Sequence, residues 1–180
     1  MTTMLTSPAL DFDAIWDRAF PYDDFVRGAA PDHRTLWEGI GRLHTPSEET
    51  LSHRLPAGTR LLVIAADWCG DAVNVIPAIQ NWAAHTGIPL RIIDRDTWPE
   101  VMDHYLTGDA RAIPIVIALD PTGQELGHWG PRPSELQAWV MAHKLVMTKD
   151  ERYREIRRWY ARDRGASAIR EVVASASTTR

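Results

Sequence analysis

Apolar residues recur at three and four positions through much of the chain and gather into short unbroken runs at a few places. The first run, Leu61-Leu62-Val63-Ile64, is too short for a globular helix and branched enough for an interior strand. A second strand is predicted over Leu90–Asp94, entered through Gly87-Ile88-Pro89. A third follows Ile113 as Pro114–Leu119 and turns at Asp120-Pro121-Thr122-Gly123 into a returning strand over Gln124–Trp129. Between the first two strands, Asp67-Trp68-Cys69-Gly70-Asp71 precedes Val73, Ile76, Ile79 and Trp82. That spacing is helical, with Pro77 as its one interruption.

The flanks read as helices. Phe12, Ile15, Trp16 and Ala19 predict a short amphipathic helix from Asp11, stopped by Pro21. Tyr22–Ala30 is ambiguous, with Phe25 and Val26 its only apolar anchors. Pro31-Asp32 opens a helix with Leu36, Trp37, Ile40 and Leu43 on one face, and Ser47 caps a short one ending near Leu55. Thr97 is expected to cap a helix carrying Val101, Met102, Tyr105 and Leu106 that ends near Gly108. Pro133-Ser134-Glu135 begins a helix through Leu136, Trp139, Val140, Leu145 and Met147. Thr148-x-x-Glu151 is a capping box, so a new helix starts there with Tyr153, Ile156, Trp159 and Tyr160 as its apolar face. Gly165 breaks it before a last helix holding Ile169, Val172 and Val173. Residues 1–10 and Ser175–Arg180 read as loose ends. The helical, acidic N-terminal third carries no chemistry of its own and reads as packing over a sheet face or edge, with a partner surface as the alternative.

Composition narrows the function classes. A chain of 180 residues with 44% hydrophobic and 24% charged content is an ordinary globular protein, large enough to bury a core without staples. A net charge of −4 gives no basic surface for nucleic acid. No apolar run reaches the roughly 20 residues of a spanning helix, and the first residues lack the basic and apolar regions of a signal peptide. The single cysteine excludes an intrachain disulfide and fits a reducing compartment; the expectation is a cytoplasmic protein. The seven histidines show no metal-binding spacing, and one cysteine makes no thiolate zinc site, so no metal or cofactor is expected. Most of the eight tryptophans sit at helical core spacings.

Candidate chemistry centres on Cys69. A helix start offers unpaired N–H groups and the positive end of the dipole, both favouring a thiolate. Taken alone, a free cysteine reads as a small buried apolar residue. After Trp68 and before Gly70 at a helix start, the expectation becomes an exposed, activated thiol with a pKa below about 8.5, moderated by the negative charge of Asp71 two residues on. Trp68 would cover one side of the thiol, and Gly70 would let the backbone bend close to the sulfur. Asp67, Arg95, Asp96 and Arg132 either border the same site or form structural ion pairs. The arginine-rich stretch at 152–164 reads as a solvated face.

Trp68-Cys69-Gly70-Asp71-Ala72 after a buried strand resembles the Trp-Cys-Gly-x-Cys turn of the thioredoxin superfamily. Ile113-Pro114 resembles that superfamily's cis-proline, which faces the reactive thiol. Arg95-Asp96, Trp129-Gly130-Pro131-Arg132-Pro133 and the extra helices at both ends resemble, more narrowly, a bacterial group with a Trp-Cys-Gly-Asp-Cys motif. The resemblance implies an α/β thioredoxin-like fold: a central mixed sheet flanked by helices. A helical extension over 1–58, a thioredoxin-like domain over 59–147 and a C-terminal helical extension over 148–180 would form one compact unit. It also implies a substrate site of Trp68, Gly70, Asp71, Ile113 and Pro114 around a catalytic Cys69, with the backbone of Ile113 pairing with a substrate peptide.

The departures are as informative. The family's second cysteine falls on Ala72, and its buried acid six positions before the first cysteine falls on Val63. Dithiol turnover is excluded by count. The expected activity is monothiol thiol–disulfide exchange, with Cys69 attacking a protein joined to a low-molecular-weight thiol and an external thiol or reductase releasing the adduct. The alternatives are a thioredoxin-fold binding module without turnover, or a redox sensor pairing Cys69 across a homodimer.

Overall fold

The computed structural model describes residues 9–177. Its centre is built from the branched apolar runs. Leu61–Ile64 lies within β2 (Arg60–Ala65), buried at every position after Arg60, as continuous runs are when a strand is covered on both faces. β3 (Leu90–Asp94) pairs with it in parallel, and β4 (Ile115–Leu119), buried throughout, pairs antiparallel on the other side. β5 (Glu125–Trp129) returns antiparallel to β4, with a register shift between Ala118 and Leu119. A two-residue strand, β1 (Phe20–Pro21), joins the outer edge of β3, completing a sheet of order β1-β3-β2-β4-β5.

Periodicity did not announce β1. It lies where α1 (Phe12–Arg18) ends, and the ambiguous segment after it is helical, as α2 (Tyr22–Gly28), with Phe25 and Val26 buried. The N-terminal segment therefore covers a sheet edge with a strand that Pro21 keeps short, which blunts the edge against further pairing.

α3 (Pro31–Leu43) and α4 (Glu48–Ser52) follow, the latter capped by Ser47. On α3 the expected four-residue face narrows. Trp37 is fully buried, whereas Leu36 and Leu43 are exposed. The helix meets the core through Trp37, wedged against Tyr22 and Phe25, with Ile40 partly buried beside it, and so presents a narrow stripe. α5 (Gly70–Thr86) runs from the Cys69 turn, keeps Pro77 inside it and ends at Gly87, whose φ of +72° provides the left-handed cap.

α6 (Pro99–Met102) is shorter than the expected helix, and Trp98 rather than Thr97 sits at its start. The Asp94 carboxylate accepts the amides of Asp96 and Thr97, so the chain is still turning there. Leu106 lies beyond the helix and is exposed.

α7 (Ser134–His143) stops before Leu145, which is 94% exposed, because the capping box at Thr148 and Glu151 restarts the chain as α8 (Lys149–Asp163). In α8, Ile156 and Tyr160 are buried in the core and Trp159 packs against it partly buried, whereas Tyr153 is exposed. Arg164 and Gly165 take positive φ, and α9 (Ala166–Ser177) packs on β5 so closely that a side chain at Gly127 would meet the Ser175 carbonyl. Ser175–Ser177 belong to α9 rather than to a loose end. The remaining expected loose ends fall in part on residues 1–8 and 178–180, outside the described residues.

Candidate active site

The β2–α5 turn sets the site. Cys69 is the residue that caps α5, and its backbone carbonyl accepts the first helical bond from Val73. Its thiol donates to the Ile113 carbonyl, with a sulfur–oxygen distance of 3.6 Å, so the turn and the segment before β4 meet at the sulfur. The Ile113–Pro114 and Gly130–Pro131 peptide bonds are both cis.

The expectation of an exposed, activated thiol is corrected here. Cys69 is only 8% exposed, and burial pushes its thiol pKa above the ordinary value of 9.0. The amides of Ala72 and Asp71 and the Arg132 charge act downward, and the Asp71 carboxylate acts upward with burial. Helix-start donors are present, as the sequence implies, but desolvation outweighs them.

Asp71 does not face solvent as a substrate-binding residue would. It is buried, held by a two-pronged ion pair with Arg132 (2.9 and 2.6 Å) and by the Tyr160 hydroxyl (3.0 Å). Burial lowers the Arg132 pKa, and the Asp71 carboxylate more than restores it, leaving the guanidinium firmly charged. Burial and then Asp71 push the Tyr160 hydroxyl well above its ordinary value, so it remains a neutral donor. Arg132 also donates to Gln137. Sequence reading grouped Arg132 with the possible site residues but placed Tyr160 among helix core residues. Tyrosine at a core spacing carries no local sign of a partner 89 residues away.

Asp67, at the other end of the turn, points away from the thiol and toward the N-terminal helices. Its carboxylate accepts the Ala30 amide at 2.9 Å and lies 3.1 Å from His33, while its carbonyl accepts the Trp37 indole. Burial raises its pKa, but the Ala30 amide and then His33 outweigh this and hold it below the ordinary value. Trp68 is half exposed, with the Arg95 guanidinium 4.7 Å from its ring centroid, and Arg95 is paired with Asp96. Trp68 is therefore a surface aromatic next to Cys69 in the chain.

Gly70 has neither a positive φ nor any neighbour that a Cβ would meet. The bend does not require glycine; what glycine leaves is open space beside the buried sulfur. Among the described residues no group of three or more His, Cys, Asp or Glu could hold a metal, and no helix is long and apolar enough to cross a membrane.

A parallel β2–β3 pair, an antiparallel β4–β5 hairpin and a helix springing from a cysteine turn define a thioredoxin-like protein. Residues 22–154 match a sequence family described as thioredoxin, and the chain belongs to that family. A crystal structure of a protein of unknown function from Pseudomonas aeruginosa, PA1234, is similar at 21% identity. The alignment covers 92% of this chain and 96% of that one, with a TM-score of 0.73. An HIV epitope-scaffold is similar at 20% identity and a TM-score of 0.69, over the same shares. At such identities the likeness is one of fold. No curated protein matches the chain.

Proposed function

We propose that this protein performs monothiol thiol–disulfide exchange, with Cys69 as nucleophile and Ala72 standing where a second, resolving cysteine would be. The Cys69 thiolate attacks a mixed disulfide at the sulfur of a low-molecular-weight thiol. The substrate S–S bond breaks, a Cys69 adduct forms, and the partner's sulfur leaves as a thiolate that takes up a proton. An external thiol then attacks the adduct, releasing Cys69 and a new small disulfide.

The observation that carries this reading is the placement of the sole thiol at the α5 start, within reach of the Ala72 and Asp71 amides. Those donors stabilise a thiolate once one forms, and none of them needs a second cysteine. Trp68 beside the thiol would shape access, and the Ile113–Pro114 backbone would align the substrate once its carbonyl is freed from the thiol.

Incubation with a protein–small-thiol mixed disulfide, followed by intact-mass measurement, tests it. A single adduct on Cys69 that a small thiol reverses is expected, and Cys69→Ser should form none. A wild-type protein that takes up no adduct while folded would sink the proposal.

Burial of the thiol favours a second reading, a binding module in which Cys69 is a neutral hydrogen-bond donor to Ile113. In that case partner binding persists in Cys69→Ser.

A further inference from the structure

A groove of about 540 Å³ lies between residues 107–112, α7 and α8. It falls within the range of small-molecule pockets. Two of its lining residues tie it to the reactive turn. Ala112 lines the groove and precedes Ile113, whose carbonyl takes the Cys69 thiol; Arg132 lines it too and grips Asp71. Val140 and Ile156 give it apolar walls, and Lys144 and Arg152 line it as well.

Those two cations have no carboxylate partner among the described residues. Arg152 donates to the carbonyls of Lys144 and Met147, which fix its position without neutralising it. Lys144 is exposed, lines the same groove and makes no ion pair with the described residues. A chain of net charge −4 thus keeps positive charge with no carboxylate partner among the described residues along a groove that it shares with Arg132, whose charge acts on the thiol.

Resting on the exchange reading above, we propose that this groove receives the non-protein half of the mixed disulfide, and that this half is a small thiol with an apolar body and a carboxylate. The body lies against Val140 and Ile156, the carboxylate meets Lys144 and Arg152, and the sulfur lies toward Cys69. The groove thereby selects which of the two sulfurs Cys69 attacks, leaving the protein half as the departing thiolate.

Two chromogenic disulfides test this without knowledge of the natural thiol. Dithiobis-nitrobenzoate has an aromatic ring and a carboxylate on each half; dithiodipyridine is neutral. In each case attack by Cys69 forms one adduct and releases one coloured thiol. Each rate is divided by that of free cysteine under the same conditions.

The normalised rate should be higher for the nitrobenzoate despite the chain's negative charge, should fall as salt is added, and should drop about tenfold in Lys144→Glu. The dipyridine rate should stay within about twofold across the same changes. Equal normalised rates, with no effect of Lys144→Glu or salt, would overturn the groove assignment while leaving monothiol exchange standing. If neither reagent reacts with the folded protein, the exchange reading falls and the groove assignment with it.

Discussion

Asp71 and Arg132 act on the Cys69 sulfur in opposite directions while bonded to each other. Removing the carboxylate charge in Asp71→Asn should move the thiol pKa down, and alkylation at pH 8 should be faster than in wild type. Burial of Cys69 also makes a stability prediction. Its folded pKa lies above the unfolded one, so between the two values the unfolded state has released a proton that the folded state retains, and stability falls as pH rises. The wild type should therefore lose stability relative to Cys69→Ser above about pH 8.5 to 9, and not below it, in denaturant titrations at stepped pH. Gly70→Ala meets open space and should leave folding within about 0.5 kcal/mol of wild type.

At the scale of elements, the turn from Asp67 to Asp71 is gripped from both sides by segments outside the strands. Ala30 before α3, and His33 and Trp37 of α3, hold Asp67; the β5–α7 loop and α8 hold Asp71 through Arg132 and Tyr160. The flanking helices thus help to fix the geometry of the thiol. Tyr160→Phe should cost about 1 kcal/mol, whereas Arg132→Gln strands a buried carboxylate and should cost about 3 kcal/mol, both read by denaturant midpoints. Gly127→Ala would force α9 away from β5 and should cost about 1–3 kcal/mol, while Gly28→Ala, with nothing near it, should be close to neutral.

For the whole molecule, what could be read from the sequence follows contact range. The β2 run, the Cys69 turn, the Thr148 capping box and the Gly165 break rest on neighbouring residues, and all were legible. β1 was not, because two residues have no period, and its pairing with β3 is a long-range event. Leu36, Leu43 and Leu145 fit helical faces yet stand in solvent, since periodicity says which residues share a face but not what covers it.

The site divides in the same way. Cys69 and its helix start were visible, and so was the opposing charge of Asp71. Its partner Tyr160 was not, nor was the burial that raises the thiol pKa, because both depend on segments far away in sequence. The outcome is a thioredoxin-family chain whose one thiol is shielded and mostly protonated at neutral pH, with donors in place for the thiolate.

The most direct test of that account is the rate of Cys69 alkylation by iodoacetamide in the folded protein as a function of pH. A folded protein that reacts, with a midpoint above 9.0, is the predicted result. A midpoint below about 8.5 would contradict the shielding that the structure assigns to the sulfur, and a thiol that reacts only after unfolding would contradict exchange itself.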